Sequence, residues 1–504
     1  MLLKSRIGLC LAVLLGGQAL AQMTVTGAIT GTVTDPSNQV IVGASVVLTS
    51  ERTGEPRTTT TNQTGQFTFL AVLPGGYSLK VEQSGFKAFQ RTGIVLSANE
   101  RLPVGDIQLS IGAVTETISV VAQGAVVQTA SSERSALLSP DQLASIQTRG
   151  REVVSLLKLI PGVQYTSDSE AVGGSFGTGT PNIGGAMGAT NILAVDGVVS
   201  NDIGSPNVFS SVTTLDAIGE VKVILNSYQA EYAGNGGAVV EVVTKSGGRD
   251  YHGTGYWYKR HEMFNATDFF NNRNGVSKPL YRYSTLGFTL GGPIYVPGRF
   301  NKNKDWLFGF YNLESWGIKY PGSLQQVTTP TALERTGDFS QTLDVGGRLI
   351  SITDPLSGQP FPGNRIPAGR LNANGLALMN ILPLPNFQDR SVTRGNYNHV
   401  FQEALRQPKR SQLFKIDVAP TANDRFYVRG KTWLAQQQGY AVASGASAWG
   451  LFGQCYCFTE SGLGAGWTHV FTPTVVMEFT AGARHNHEAW YPYGSQNEID
   501  KVLR

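Results

Sequence analysis

The sequence has little cysteine, little charge and no long apolar run. Three of its 504 residues are cysteine and 15% are charged, whereas soluble domains carry roughly 25% charged residues. So little charge disfavours a soluble helical enzyme. After the first residues, no stretch reaches about 18 consecutive apolar residues, so the sequence predicts no transmembrane helix.

An excess of one charge is also lacking. The 40 basic and 36 acidic residues leave a formal net charge of +4, and no basic cluster is interleaved with aromatic residues. Both observations argue against a nucleic-acid partner. Glycine and aromatic residues are abundant instead, with 60 glycines and 10% aromatics. This composition suits many strands, tight turns and an amphipathic barrel.

The N-terminus has the three parts of a secretion signal. Lys4 and Arg6 form a basic segment, and residues 7–15 form a short apolar segment. Ala19-Leu20-Ala21 is then a cleavage site before Gln22. We therefore predict a signal peptide over residues 1–22 and export of the remainder.

Two cysteines remain in the exported chain. Cys10 leaves with the signal peptide, and Cys455 and Cys457 form a C-x-C pair. An exported pair of this kind forms either a strained disulfide or two free thiols in an aromatic-flanked loop. The sequence leaves both interpretations open.

Residues 24–110 are predicted to fold as a β-sandwich, because short alternating segments are separated by Gly- and Pro-rich turns such as Pro74-Gly75-Gly76. The segments GTVTDPSNQVIVGASVVLTSERTG and TNQTGQFTFLAVLPGGYSLKVEQSGF resemble the carboxypeptidase regulatory-like domain. The resemblance implies a transthyretin-like sandwich that binds or spaces, without peptidase activity. Gln39 departs from the family, which usually has Gly in the first turn. The predicted core side chains are Phe67, Phe69, Tyr77, Leu79 and Val81.

Residues 124–248 show an ordered set of short elements. Ser139-Pro140-Asp141 begins a helix, apolar residues at helical spacing continue it, and Pro161-Gly162 ends it. Residues 191–198 form a buried strand that ends in the Asp196-Gly197 turn. Two further strands are predicted over residues 220–225 and 238–244.

The order PGV, VDGV, IGEVKVI and GGAVVEVVTKSG resembles the plug domain of TonB-dependent outer-membrane receptors. The segments NIGG and NSYQAEYAGNGG depart from siderophore receptors and resemble the Oar-like subgroup, so iron-chelate specificity is not carried over. The residues that carry the plug motif are Pro161, Gly162, Val163, Asp196 and Gly197.

Residues 111–123 form an extended, β-branched linker between these two domains. In the layout of the family it resembles a TonB box, a mobile strand that pairs with the edge of a TonB sheet. The resemblance implies TonB and its inner-membrane energising complex as partners. The alternative is that this segment is the last strand of the sandwich. The residues assigned to the box are Thr115, Glu116, Thr117, Ile118, Ser119, Val120 and Val121.

Residues 249–504 are predicted to form part of a membrane barrel. Leu286, Phe288 and Leu290 alternate with small or polar residues, which is the pattern of a strand with one lipid face. Seven such segments occur, and a long Pro/Gly/Asn-rich stretch over residues 319–406 resembles the outer loop of Oar-like receptors. Large plugged barrels have about 22 strands. We therefore expect an N-terminal fragment that lacks most of the barrel.

Two short motifs resemble catalytic or metal-binding patterns. Residues 173–177 match G-x-S-x-G, but neither a buried strand nor a helix flanks them, as a nucleophile elbow requires. His485, His487 and Glu488 lie close in sequence, but no further metal ligand is placed beside them. We therefore assign no catalytic, cofactor-binding or metal-binding residue.

The sequence thus predicts a mostly β protein of the outer membrane: a periplasmic sandwich, an α+β plug and a partial antiparallel barrel in contact with lipid. The function it favours is TonB-dependent transport of an unidentified substrate, with carbohydrates and peptides as candidate classes. The alternative is a non-transporting surface or adhesion protein whose sandwich binds carbohydrate or protein. No residue that contacts substrate is identified from the sequence.

Overall fold

The computed structural model describes residues 25–113, 117–121, 132–146, 148, 151–165, 181–186, 190–202, 213–228, 232, 236–440, 449–451 and 453–492. The predicted signal peptide, Thr115, Glu116 and the G-x-S-x-G motif lie outside these residues. Within them, no helix has the length and apolar character needed to cross a membrane.

The N-terminal domain is a two-sheet sandwich, as predicted. Its sheets have the orders β4-β1-β7 and β3-β2-β5-β6-β8. All five predicted core side chains are buried between the sheets, and Leu79 and Val81 are fully inaccessible. The strands are β1 (Gly27–Thr34), β2 (Ser45–Ser50), β3 (Pro56–Thr60), β4 (Gln66–Val72), β5 (Gly75–Glu82), β6 (Ala88–Leu96), β7 (Arg101–Gln108) and β8 (Thr117–Val121).

Strand β8 carries the described part of the predicted TonB box. It lies at the edge of the five-stranded sheet and runs parallel to β6, with Phe89 opposite Ile118 and Gln90 opposite Ser119. In this state the segment is the last strand of the sandwich sheet. Its outer edge has no partner strand among the described residues.

The plug is built around a five-stranded sheet of order β13-β12-β15-β14-β9. Strand β12 runs parallel to β15, and the other neighbours are antiparallel. Its apolar face packs against two short helices. The elements are β9 (Arg134–Leu138), α1 (Pro140–Ser145), α2 (Val153–Leu156), β10 (Val163–Gln164), β11 (Asn182–Ile183), β12 (Ile192–Val195), β13 (Val198–Val199), β14 (Ile218–Asn226) and β15 (Val239–Thr244).

The prediction of one continuous helix before Pro161 is wrong. Ser139 caps α1 through a capping box, but the backbone becomes extended at Ile146. Arg151 then has a left-handed φ of 56°, which no helix accommodates. The chain resumes in α2 and a 3₁₀ turn (Leu157–Leu159), so the apolar residues at helical spacing are still buried.

The barrel wall is a seven-stranded antiparallel sheet of order β16-β17-β18-β21-β22-β23-β24, which confirms the seven predicted segments. On β17, Leu286 and Leu290 are exposed outward, whereas Thr285 and Thr289 face the plug and are buried. The strands and helices are β16 (His252–His261), α3 (Phe269–Arg273), β17 (Arg282–Pro293), β18 (Leu307–Pro321), β19 (Gln325–Val327), α4 (Ala373–Ile381), α5 (Arg390–Thr393), β20 (His399–Phe401), β21 (Ala404–Val418), β22 (Asp424–Gly439), β23 (Gln454–Thr472) and β24 (Val475–Pro492).

The long stretch between β18 and β21, which its composition predicts as a loop, contains short regular elements. Strands β19 and β20 pair at its base, and α4 and α5 lie within it. The Asn364 amide donates to the Phe339 and Ile350 carbonyls at 2.6 and 2.8 Å. Such side-chain to backbone bonds satisfy polar groups that no sheet pairs.

The remaining motif residues lie in barrel strands. Cys455 and Cys457 are on β23 rather than in a loop, as buried free thiols with Sγ atoms 2.9 Å apart. His485 and His487 share one face of β24 and Glu488 points to the other, because side chains alternate along a strand. Among the described residues, no group of three or more side chains could hold a metal ion.

Candidate functional site at the contact between plug and barrel wall

The Asp196-Gly197 turn brings a carboxylate of the plug to the barrel wall. Both residues have positive φ, 45° and 76°, as a two-residue hairpin turn between β12 and β13 requires. Asp196 is almost fully buried. Its carboxylate accepts hydrogen bonds from the backbone N–H and hydroxyl of Thr244, at 2.9 and 2.6 Å.

Two cations of the barrel wall face the same carboxylate. The Lys415 Nζ on β21 lies 3.3 Å from Oδ1, and the Arg429 Nε on β22 lies 3.2 Å from Oδ2. Burial alone would raise the pKa of Asp196, but these two cations and Thr244 outweigh it and lower the pKa. Asp196 is therefore charged and held by two strands of the wall. We call Asp196, Thr244, Lys415 and Arg429 the anchor cluster.

A second buried acid, Glu241, lies beside the anchor cluster. Its Oε1 accepts a hydrogen bond from the Gly197 N–H at 3.0 Å, and its Oε2 has no hydrogen-bond partner. Burial raises the pKa of Glu241 to about 8, and the neighbouring charge of Asp196 adds to the rise. One acid is thus charged and the other protonated near neutral pH.

Further polar contacts join the plug to other strands of the wall. The Thr214 hydroxyl donates to Asn312 Oδ1 on β18 at 2.7 Å, and both residues are buried. Arg151 pairs with Asp216 within the plug. Its guanidinium carbon also lies 4.1 Å from the ring centroid of Tyr258 on β16. Paired polar groups therefore join the plug to β16 and β18, beside a small apolar contact of Ala217 with Phe310 and Leu413.

A different arrangement occurs around Glu152, which directly precedes α2. Its carboxylate is buried, and neither oxygen has a hydrogen-bond partner. Burial raises the pKa of Glu152 to about 8, and the charge of Lys409 on β21 opposes the rise. The Lys409 Nζ is also buried without a hydrogen-bond partner.

The sandwich docks against the plug sheet and the near ends of the barrel strands. The Ala98 N–H donates to the Glu220 carboxylate of β14 at 2.6 Å, and Glu55 pairs with Arg425 of β22. Burial raises the pKa of Glu220 to about 7. A cavity of about 290 Å³ lies between the three parts, and both Asp196 and Lys415 line it.

The structure brings only part of the predicted motif to this site. Asp196 and Gly197 lie in it, whereas Pro161, Gly162 and Val163 form the turn from the 3₁₀ segment into β10. Lys415, Arg429 and Lys409 were not singled out from the sequence. For Lys415 the available signal was a charge between the outward-facing Phe414 and Ile416, whereas Lys409 lies between Pro408 and Arg410 and had no such signal.

Comparison with known proteins finds two families in the chain. Residues 243–502 match the outer membrane beta barrel domain, and residues 28–110 match the carboxypeptidase regulatory-like domain. A TonB-dependent transporter, Oar of Myxococcus xanthus, is 27% identical over 308 residues, which are 58% of this chain and 27% of that protein. The chain thus spans about a quarter of the length of this relative.

Solved outer-membrane proteins also resemble the chain. The transporter YddB of Escherichia coli has a TM-score of 0.44 at 10% identity, covering 71% of this chain and 39% of its own. The alcaligin outer-membrane receptor FauA of Bordetella pertussis has a TM-score of 0.39 at 9% identity, covering 72% and 40%.

Proposed function

The chain belongs to the outer membrane beta barrel domain family, and we propose that it is the plug-bearing part of a transporter that TonB energises. It is a protein of the cell outer membrane whose recognised relatives are transporters and receptors rather than enzymes. In the proposed function an unidentified substrate, a carbohydrate or a peptide, passes the wall when the plug moves. The sandwich then lies in the periplasm, at the end of the wall where β16 begins.

The observation that carries this proposal is a folded plug held on the wall by buried polar contacts. Asp196 joins the plug to two wall strands, and Thr214 joins it to a third. Polar contacts of this kind exchange for water when the plug shifts, whereas a large apolar interface would resist hydration. A plug that must open and close repeatedly suits this chemistry.

The described part of the predicted TonB box supports the same proposal. Strand β8 already has an extended backbone, and its outer edge lacks a partner strand among the described residues. An incoming strand of TonB can add to that edge through main-chain hydrogen bonds. We propose residues 115–121 as the segment that TonB binds.

The test uses the full-length receptor in cells that have or lack TonB. Thr214 is replaced by Cys, in a background where the other cysteines are Ser, and an impermeant maleimide is added. Maltodextrin and a casein digest are supplied in separate arms. We expect labelling of Thr214→Cys to rise on addition of one of them, and only in cells with TonB.

A static surface protein predicts a different result. Labelling would then be equally slow with and without TonB in both arms, which would refute the proposal. An exposed site in the outer loop between β18 and β21, such as Ser357→Cys, is the matched control, because its labelling should not depend on TonB. No contact among the described residues favours the adhesion alternative specifically.

A further inference from the structure

The contacts between plug and wall are uneven along β21. Lys415 belongs to the anchor cluster, where every oxygen of Asp196 has a hydrogen bond and an ion pair. The Arg429 Nε has no hydrogen bond there, but it keeps its ion pair with Asp196. Lys409 lies six residues earlier on the same strand, about 20 Å away at the usual rise. It is on the side of the outer loop, because β21 begins there at Ala404.

Around Lys409, buried polar groups lack partners. Besides Lys409 Nζ and both oxygens of Glu152, the Oε1 of Gln407 and the Nε1 of Trp433 have no hydrogen-bond partner, and all four residues are buried. Each of these atoms lost its hydrogen bonds to water on burial and forms none within the protein, which costs folding free energy. We call these four residues the unpaired cluster.

The unpaired cluster forms one continuous patch. In the strand register Trp316 lies opposite Lys409, and Ser411 lies opposite Trp433. The indole rings of Trp316 and Trp433 are 5.5 Å apart between centroids. Glu152 faces this patch from the plug, since Lys409 is the charge that acts on its carboxyl.

We propose that the plug separates from the wall first at the unpaired cluster, and that the groups exposed there contact the substrate. Separation at this cluster lets water or solute satisfy the unpaired atoms, whereas separation at the anchor cluster breaks existing bonds. The anchor cluster then acts as the pivot. This inference rests on the proposed function and adds to it the place where the path opens.

The exposed patch defines the chemistry of the solute. Two indole faces offer flat apolar surface, and the amide, indole N–H, ammonium and carboxyl groups offer both donors and acceptors. These groups suit an uncharged solute with many hydrogen-bonding groups and a flat apolar face. A sugar ring provides this chemistry, and so does a peptide with ring-bearing side chains.

The test compares two buried plug positions in purified full-length receptor, where TonB is absent. Ser155, on the short helix α2 that Glu152 precedes, and Thr214, which contacts β18, are each replaced by Cys in a background without other cysteines. Both are buried in the closed state, at 8% and 4% exposure. We expect the maleimide to label Ser155→Cys about tenfold faster or more, equivalent to a difference of about 1.4 kcal/mol in opening.

A second variant tests the cause. Glu152→Leu with Lys409→Met replaces unpaired groups by apolar ones, so labelling of Ser155→Cys should slow while Thr214→Cys is unchanged. Equal rates at the two positions, or no slowing in the double variant, would overturn the inference. These results do not test the proposed function, which depends on the separate measurement of TonB-dependent labelling in cells.

A separate experiment tests which solute contacts the unpaired cluster. Maltodextrin or a casein digest is added to the purified receptor with Ser155→Cys, and the labelling rate is compared with that of the double variant. One of the two should change the rate only where the unpaired cluster is intact. If neither does, these residues do not contact the substrate.

Discussion

The anchor cluster makes Asp196 a sensitive position of the plug. We predict that Asp196→Asn loosens the plug strongly without disturbing its turn. Asparagine tolerates the left-handed backbone of this position, where φ is 45°. The change leaves Lys415 and Arg429 buried without their counter-charge. Removing one partner of a buried ion pair costs about 3–5 kcal/mol.

The side-chain amide introduced by Asp196→Asn would keep one acceptor for Thr244, so the lower end of that range applies. A loss of about 3 kcal/mol corresponds to roughly a hundredfold larger open population. The assay is the labelling rate of Thr214→Cys in the purified receptor, which follows that population when opening is fast compared with labelling. Asp106→Asn, at an exposed position of the sandwich, is the matched control.

A compensating variant separates charge burial from simple damage. Asp196→Asn combined with Lys415→Met and Arg429→Met removes the whole charge set, and it should recover most of the lost stability, because apolar replacement of a complete buried network is often neutral. A labelling increase below about fivefold in Asp196→Asn would refute the reasoning, since it would mean a cost below about 1 kcal/mol. So would a triple variant that labels faster than the single one.

Three further predictions concern other parts of the chain. Residues 24–110 expressed alone should unfold cooperatively in denaturant, and Phe69→Ala should lower the free energy of unfolding by about 3–5 kcal/mol, since the ring is 3% exposed; a random-coil circular dichroism spectrum would contradict this. Ile118→Pro in the full-length receptor should abolish crosslinking to TonB, because proline lacks the N–H that a ladder needs, whereas Ser119→Ala should not; unchanged crosslinking would sink the assignment. The raised pKa of Glu241 means that the folded state favours its protonated form, so plug stability should fall as pH rises from the ordinary carboxyl value to about 8. Glu241→Gln should flatten that dependence in a labelling experiment across pH, and an unchanged slope would count against it.

Local patterns in the sequence predicted the strands well. The alternation of Leu286, Phe288 and Leu290 located β17 and its outward face, and the Asp196-Gly197 pair located the hairpin turn. Both depend on near neighbours in the chain, so a single sequence contains the information. The core of the sandwich was predictable for the same reason.

Contacts between distant residues were not predictable in this way. Asp196 and Lys415 are 219 positions apart, and which wall strand meets the turn depends on how the plug packs as a whole. The break before α2 was not predicted, because apolar residues continue at helical spacing beyond it. Arg151 has a left-handed backbone there, which an arginine in the sequence does not predict. The short elements of the outer loop were not predicted, because hydrogen bonds from Asn364 replace regular pairing there.

The edge position of β9 sets the order in which a mechanical load would act. β9 is the first described strand of the plug along the chain, and it pairs on one side only, with β14. Tension that arrives from β8 therefore acts first on Glu133, whose buried carboxylate pairs with Lys222 of β14. It then strains the one ladder that joins β9 to β14. The other three strands of this sheet, and with them the Asp196 turn, bear the load only through β14.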